Sequence, residues 1–284
     1  MKTVLITGAS TGIGETAARY MAAQGWQVYA GVRKEADADA LIAANPSIKP
    51  LILDVTKPDQ VEAAVGAISG VLNGGTLTGL VNNAGIANMG PLALQPMDEI
   101  RAHFEVNVFG LMAMTKAALP LLGMDESRTG GPGCIVNISS VGGRLSAPFL
   151  GAYAATKHAV EAFTDSFRRE LMPYGIDAIA IGPGAVKTPI WDKAETANQD
   201  RPYKGSVWDD SIEQFADVML QGGRDGLPPE TIAEVIFEAL TAEKPKARYA
   251  PVPDKFTNWT IPTLLPKRIV DKAMAKRYGL EAKD

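Results

Sequence analysis

The chain has 284 residues, of which 46% are hydrophobic and 21% charged, a balance typical of a globular protein with a large buried core. A formal net charge of −4 provides no broad positive field, which argues against a nucleic-acid-binding protein. The single cysteine, Cys134, excludes an internal disulfide, and the two histidines, His103 and His158, fit no ligand spacing, so we predict no metal site.

The N-terminus enters a short apolar run at 3–7 and then a glycine-rich segment, which leaves no room for the apolar core of a secretory signal. No apolar stretch approaches the roughly 20 residues that a membrane-spanning helix needs. We therefore expect a soluble protein without a membrane span. A single cysteine in an apolar run suits a reducing compartment, and we predict a cytoplasmic location.

Strand-like segments alternate with helical segments along the chain, and no linker interrupts them. We predict strands at 3–7, 27–32, 48–53, 77–81, 133–138, 176–181 and 248–250, and helices at 12–24, 36–44, 58–72, 97–122, 150–172 and 229–242. This alternation is typical of an α/β protein with a parallel sheet and helices on both faces. The sequence thus predicts one Rossmann-type, doubly wound domain over 1–284.

The regular alternation stops between residues 187 and 227, where prolines and glycines punctuate a stretch rich in aromatic residues. We interpret 187–227 as a substrate-covering lid with one short helix near 212–220; the alternative is a surface excursion that packs its own aromatic side chains. A C-terminal extension at 254–284 contains a basic amphipathic helix. We expect this helix to pack against its own domain or a partner subunit, with contact to a membrane surface as the alternative.

A glycine loop, TGASTGIG at 7–14, directly follows the first strand and opens the first helix. A pyrophosphate can lie against a helix start only if the backbone approaches closely and free N–H groups point at it, which Gly8, Gly12 and Gly14 permit. Glycine turns between a strand and a helix are also common for steric reasons alone. The position at the first strand–helix junction favours dinucleotide binding.

The spacing T-G-x-x-x-G-x-G resembles that of the short-chain dehydrogenase/reductase family, and further family motifs follow in the family's order over about residues 3–250. They are Asn82-Asn83-Ala84-Gly85, Asn107, Ser140, Tyr153 with Lys157, and Pro183-Gly184 followed by Thr188. The segments 140–143 and 169–176 are most similar to members that act on steroids, retinoids or comparable lipophilic alcohols. The resemblance implies an NAD(P)-dependent alcohol dehydrogenase or carbonyl reductase with a small-molecule substrate.

Tyr153 and Lys157 lie four residues apart in a predicted helix, so both rise from one face about one turn apart. A free tyrosine has a pKa of about 10, and a nearby ammonium group favours its ionised form. Taken alone, this pattern is more often a plain helix contact. Ser140, at the end of a buried strand, can bind the substrate oxygen while Tyr153 moves its proton. The resemblance selects Ser140 over Ser139, which remains a turn or cofactor contact.

The resemblance also implies roles for residues outside this trio. Asn107 would bind a water that links Lys157 to solvent, a role compatible with a side chain that repairs a helix irregularity. Asp54 would contact the adenine ring, with a turn-capping aspartate as the alternative, and Asn83 would support the central strands. The predicted cofactor-binding residues are Gly8, Ser10, Thr11, Gly12, Ile13, Gly14, Arg33, Asp54, Val55, Asn83, Ala84, Gly85, Tyr153, Lys157, Pro183, Gly184, Val186 and Thr188, the last four at the nicotinamide carboxamide.

The end of the second strand favours NADP(H), with NAD(H) as the alternative. Eighteen residues after Gly14, the family's usual acidic position holds Val32, which cannot accept a bond from a ribose 2′-hydroxyl. Arg33 follows, and its guanidinium can hold a 2′-phosphate through two charge-assisted hydrogen bonds. Two features oppose this preference: Thr11 occupies a position where NADP-preferring relatives often carry a basic residue, and acidic residues at 37 and 39 could serve an NAD ribose.

The predicted helix that carries Tyr153 has small residues on the opposite face, which allow two helices to approach closely. They are Ala155, Ala159, Ala162 and Ser166. This face predicts a homodimer or homotetramer, as the resemblance also implies. We predict an oxidoreductase; the alternatives are an epimerase or dehydratase on the same scaffold, and a non-catalytic dinucleotide-sensing protein, which would be expected to lose Tyr153 or Lys157.

Overall fold

The computed structural model describes residues 1–189, 191 and 203–281. Within these residues, seven parallel strands form one sheet in the order β3-β2-β1-β4-β5-β6-β7. The strands are β1 Thr3–Ile6, β2 Gln27–Val32, β3 Ile48–Ile52, β4 Gly79–Asn82, β5 Cys134–Ile138, β6 Asp177–Ile181 and β7 Arg248–Tyr249. The predicted Rossmann-type α/β fold is confirmed.

Helices connect the strands and cover both faces of the sheet. They are α1 Gly12–Ala23, α2 Glu35–Ala44, α3 Pro58–Leu72, α4 Met97–Phe104, α5 Leu111–Ala118, α6 Gly151–Glu170, α7 Asp209–Arg224, α8 Pro229–Thr241, α9 Ile261–Leu264 and α10 Lys267–Arg277. No helix in the described part of the chain combines the length and apolarity needed to cross a membrane.

Two helices differ from their predicted extents by more than two residues. The single helix predicted at 97–122 contains wider π-helical turns at Glu105–Gly110 and Pro120–Met124. The lid helix predicted at 212–220 is longer, Asp209–Arg224, because its glycines do not end it: Gly223 lies directly against the ring of Trp191, a contact that a larger residue would block. Residues 190 and 192–202 of the predicted lid lie outside the described residues.

Apolar side chains bury both faces of the sheet. Adjacent strand residues point to opposite faces, so Leu5 packs in one cluster with Ile68 and Met114, while Ile6 packs in the other with Met21. A strand buried on both sides reads as a continuous apolar run rather than an alternating one. This burial explains why the central strands are readable from the sequence.

The strand order reverses between β1 and β4, and this reversal creates a crevice at the carboxyl ends of the strands. The glycine loop leaves β1 at one side of the crevice. The segment Asn83-Ala84-Gly85 leaves β4 at the other side, and β5 delivers Ser139 and Ser140 to the same edge. The topology therefore gathers the sequence motifs at one place.

A third cluster of buried side chains joins the predicted lid to the C-terminal extension. We call it the aromatic cluster; it comprises Phe149, Tyr203, Ile212, Phe215 and Tyr278. The ring of Phe215 lies 5.6 Å from that of Phe149 and 5.0 Å from that of Tyr278, both edge to face. Tyr278, directly after helix α10, and the part-buried Met274 therefore attach the end of this helix to its own domain, whereas α10 has no buried residue and its Ile269 is 51% exposed.

Candidate active site

The glycine loop brings backbone where side chains cannot fit. Gly8 and Gly12 have φ of 64° and 61°, in the left-handed region that glycine tolerates best. A Cβ on Gly8 would lie 2.8 Å from Cα of Ala84, and a Cβ on Gly14 would collide with the Gly8 carbonyl oxygen and the Asn83 amide. The loop thus forms a cradle of bare backbone at the start of α1, a geometry that fits a pyrophosphate.

Asn83 ties the loop after β4 to the glycine loop. Its Nδ2 donates to the carbonyl oxygens of Thr7 at 3.0 Å and Gly8 at 2.9 Å. In return, Oγ1 of Thr7 accepts from the backbone N–H groups of Asn83 at 3.0 Å and Ala84 at 3.1 Å. Thr7 was absent from the predicted site residues, although its place as the first residue of the glycine motif was a visible signal.

The segment after β6 closes the crevice from the other side. The Thr188 side chain lies 3.2 Å from the position of a Cβ on Gly12. The Pro183 carbonyl accepts from the N–H of Val141 at 2.9 Å, next to Ser140. The buried Val186 and the part-buried Gly184 and Thr188 complete the predicted nicotinamide segment, and the structure places it between the glycine loop and Ser140. Ser10, Thr11 and Ile13 lie in the glycine loop and the first turn of α1.

Ser140 and Tyr153 meet at the edge of the sheet. The Oγ of Ser140 accepts from the Gly142 N–H at 3.0 Å, so its own hydrogen remains available for donation. Burial raises the pKa of Tyr153 above its usual value, and a hydrogen bond with the Ser140 side chain opposes that effect. The sequence argument expected the Lys157 ammonium to favour the ionised form of Tyr153; in the structure, desolvation outweighs the hydrogen bond with Ser140 and leaves the pKa of Tyr153 raised.

Lys157 is buried and lies next to the ring of Tyr153. Its Nζ donates to the carbonyl oxygen of Ile138 at 2.8 Å and lies 5.7 Å from the centre of the Tyr153 ring. Burial lowers the pKa of Lys157 to about 8, and the charge of Glu161 opposes this shift. The predicted one-turn spacing therefore places a lysine with a lowered pKa next to the tyrosine.

Asn107 lies inside the first π-helical turn, where α-helical hydrogen bonding is interrupted. Its Oδ1 accepts from the N–H of Ile86 at 2.8 Å, and its Nδ2 donates to the Ile86 carbonyl at 2.9 Å and to Thr156 at 3.0 Å. The side chain thus pins the loop after β4 to the irregular helix. A Cβ on Gly85 would lie 3.3 Å from Asn107 Oδ1 and 3.7 Å from Lys157 Nζ, so these two groups flank Gly85.

Asp54 and Arg33 lie at the end of the crevice predicted for the adenosine. Burial alone would raise the pKa of Asp54, but hydrogen bonds from Thr56 and the charges of Arg33 and Lys57 bring it below its usual value. Both bonds from Thr56 end on Oδ1, at 3.0 and 2.8 Å, which is the turn-capping arrangement named as the alternative for this aspartate. Arg33 is exposed, and the neighbouring Val55 is buried.

Ser139, the competitor of Ser140, turns into the protein. Its side chain is buried, and its Oγ finds no hydrogen-bond partner among the described residues. A Cβ on Gly143 would lie 2.6 Å from that Oγ, which places the hydroxyl behind the turn that follows Ser140. Ser140, not Ser139, therefore faces Tyr153.

A family model described as short chain dehydrogenase matches residues 2–199. The chain belongs to this family. Two curated members illustrate the range: the chain is 38% identical to the NADPH-dependent 3-dehydrocapnine reductase of Ornithobacterium rhinotracheale, over 97% of each chain, and 31% identical to mouse retinol dehydrogenase 5, over 95% of this chain and 87% of the relative. The family resemblance stated from the motifs is confirmed.

Similarity to solved structures supports the same assignment. A short-chain dehydrogenase from Streptomyces avermitilis is 27% identical with a TM-score of 0.76, over 98% of this chain and 96% of the other. ElxO with NADP bound is 26% identical with a TM-score of 0.69, over 88% and 96%. This short-chain dehydrogenase is thus an NAD(P)-dependent oxidoreductase of alcohol and carbonyl groups, which confirms the prediction of an enzyme.

Proposed function

We propose that this enzyme interconverts a lipophilic secondary alcohol and its ketone, with Tyr153 as the acid/base and NADP(H) as the preferred cofactor. One observation carries the proposal: Tyr153 shares a hydrogen bond with Ser140 and has the Lys157 ammonium 5.7 Å from its ring, at the sheet edge beside the glycine cradle. This arrangement can present a transferable proton from Tyr153 and a hydrogen-bond donor from Ser140 to the same carbonyl oxygen of a bound substrate.

Each residue has one task in this chemistry. A bound nicotinamide supplies or accepts the hydride. In the reductive direction, the Tyr153 hydroxyl donates its proton to the carbonyl oxygen, and Ser140 donates a hydrogen bond to the same oxygen as negative charge develops. In the oxidative direction, the tyrosinate takes the proton, and the positive charge of Lys157 stabilises the tyrosinate. Asn107, fixed to Ile86, would hold the water that returns the proton of Lys157 to solvent.

A lipophilic substrate fits the surroundings of Tyr153. Phe149 lies four residues before Tyr153, and it is part of the aromatic cluster that joins α7 and the C-terminal extension. We propose that 187–227 covers the substrate from this side. The name of mouse retinol dehydrogenase 5, which is 31% identical to this chain, supports a substrate of this class.

A homodimer or homotetramer is part of the proposal. The outward face of α6 exposes Ala155, Ala162 and Ser166, and Phe109 in the π-helical turn is 55% exposed. Small residues on an exposed helix let a second helix approach closely. Light scattering at micromolar concentration should therefore give a dimeric or tetrameric mass, and a monomeric mass would contradict the proposal.

Tyr153→Phe tests the role of the tyrosine. The ring and its packing remain, and only the transferable proton is removed, so we expect kcat to fall roughly 100- to 10,000-fold with the cofactor Kd unchanged. Tyr174→Phe is the control, because it removes a hydroxyl from a tyrosine in the turn that follows α6. This variant should keep wild-type turnover. A Tyr153→Phe variant with near-wild-type kcat, on a substrate whose chemical step limits the rate, would overturn the assignment.

Arg33→Ala tests the cofactor preference. Arg33 is exposed directly after β2, where its guanidinium can bind a 2′-phosphate, and a relative of this chain is an NADPH-dependent reductase. We expect the kcat/KM for NADP(H) to fall about tenfold or more, as for the loss of a charge-assisted contact, and that for NAD(H) to change little. Arg19→Ala, on the exposed side of α1, is the matched control. A wild-type preference for NAD(H) would contradict the proposal.

A further inference from the structure

A buried carboxylate lies one helical turn beyond Lys157. Glu161 is 6% exposed, and a Cβ on Gly143 would lie 3.0 Å from its Cγ, so this carboxylate packs under the turn that follows Ser140. An unpaired ionised carboxylate in such a position is costly, and buried charges are normally paired. We therefore expect a positively charged side chain to pair with Glu161 on the buried face of α6.

Arg248 of strand β7 supplies the main counter-charge. Its Nε donates to Oε2 of Glu161 at 2.9 Å and to Oε1 at 3.1 Å, and its side chain is only 17% exposed. Arg144 approaches the same carboxylate from the solvent side, with its Nε 3.3 Å from Oε2. These contacts join α6 to the edge strand, although 87 residues of sequence separate the two partners.

The same guanidinium also reaches the catalytic segment. Nη2 of Arg248 donates to the backbone carbonyl of Ser140 at 3.3 Å, and Gly182 leaves the space that this group occupies. The ring of Trp259, from the C-terminal extension, lies 4.4 Å from Cζ of Arg248. The planar guanidinium is therefore held between Glu161, Trp259 and the backbone carbonyl of Ser140.

We propose that Glu161 and Arg248 form a positioning pair for the acid/base site: Arg248 holds Ser140 in place, and the two opposed charges balance the electric field at Lys157 and Tyr153. The inference rests on the proposed roles of Ser140, Tyr153 and Lys157. Neither member of the pair belongs to the family motifs in the sequence, and neither touches the reacting atoms.

The electrostatic part predicts a shift with a definite sign. A negative charge favours the protonated forms of both a phenol and an ammonium group, so Glu161 raises the pKa of Tyr153 and of Lys157, and Arg248 lowers both. The groups that face Lys157 are Tyr153 and Glu161 on α6, Asn107, and the Ile138 carbonyl; the cations at Glu161 are Arg144 and Arg248. Removal of the charge of Glu161 or of Arg248 alone should shift the apparent pKa of the Tyr153–Lys157 site. Removal of both charges should restore it.

The experiment measures how kcat for alcohol oxidation depends on pH, at a saturating concentration of the oxidised cofactor. We expect Glu161→Gln to lower the apparent pKa of the profile by about 0.5 to 1 pH unit. The double variant Glu161→Gln with Arg248→Met should return it to within about 0.3 pH unit of wild type, since well-packed neutral residues often replace a buried ion pair without loss of stability. Asp165→Asn, which removes the partner of Arg168 two turns beyond Lys157 on α6, is the control and should leave the profile unchanged.

The positioning part is tested by Arg248→Lys. This variant keeps the charge but loses the planar fork, so the apparent pKa should stay within about 0.3 pH unit of wild type while kcat falls about three- to tenfold and the cofactor Kd is unchanged. Profiles of Glu161→Gln that coincide with wild type would overturn the electrostatic part, and a wild-type kcat in Arg248→Lys would overturn the positioning part. Tyr153→Phe separates the two proposals: if it keeps turnover, the proposed function fails; if it abolishes turnover while these variants behave as wild type, only the positioning pair fails.

Discussion

The two sides of the active-site crevice are built by different means. On the side proposed for the cofactor, main-chain groups and one amide define the surface: the glycine loop folds against Ala84, and Asn83 binds its carbonyl oxygens. On the side proposed for the substrate, large side chains from segments far apart in sequence meet in the aromatic cluster, where Phe215 contacts both Phe149 and Tyr278. The first side has no room for a Cβ at Gly8 or Gly14, whereas the second depends on the volume of the side chains that fill it.

The largest effect should follow from an emptied aromatic cluster. Phe215 is fully buried between Phe149 and Tyr278, and Phe215→Ala should lower the free energy of unfolding by about 3 to 5 kcal/mol. Below the melting temperature of the variant, the KM for a lipophilic substrate should rise and the cofactor Kd should not. Phe256→Ala, at a side chain that is 70% exposed, is the matched control and should change stability little. A loss of cofactor affinity in folded Phe215→Ala would contradict the separation of the two sides.

An added methyl group in the glycine loop should weaken cofactor binding, in contrast to Phe215→Ala, which should leave it unchanged. Gly14→Ala places a Cβ against the Gly8 carbonyl and the Asn83 amide, which we expect to cost about 1 to 3 kcal/mol and to weaken cofactor binding tenfold or more. Gly66→Ala, in α3, meets nothing within 4 Å and should stabilise the protein by roughly 0.5 to 1 kcal/mol. Isothermal titration with NADP(H) and thermal melting test both. Unchanged affinity in Gly14→Ala would mean that the cradle is looser than the contacts indicate.

The smallest effect should come from the bond that joins α7 to the C-terminal extension. Ser211 Oγ donates to the Gly279 carbonyl at 3.0 Å, and Ser211→Ala removes this bond without a large change in volume. We expect a loss of about 1 kcal/mol in the free energy of unfolding, measured by urea titration, and a substrate KM within about threefold of wild type. A change in the NADP(H) Kd would show that the extension also acts on the cofactor side.

The pattern of apolar runs was sufficient to predict the strands because both sheet faces are buried. Strand β2 agrees residue for residue with the prediction, and helix α3 does as well. The glycine loop, the segment at 83–85 and the spacing of Tyr153 and Lys157 were also readable, since each depends on a few neighbouring residues. Parallel strands then bring such local motifs to one edge of the sheet without further information.

Other features depend on contacts between distant segments, and the sequence did not reveal them. Asn107, in the π-helical turn, bonds to Ile86, which lies 21 residues earlier, and Gly223, near the end of helix α7, packs against the ring of Trp191. The raised pKa of Tyr153 reflects desolvation, which exists only once the surrounding elements have packed. The pairing of Glu161 with Arg248 spans 87 residues. Local backbone preferences and apolar periodicity are written in short stretches of sequence, whereas burial and long-range charge pairing arise only from the folded chain.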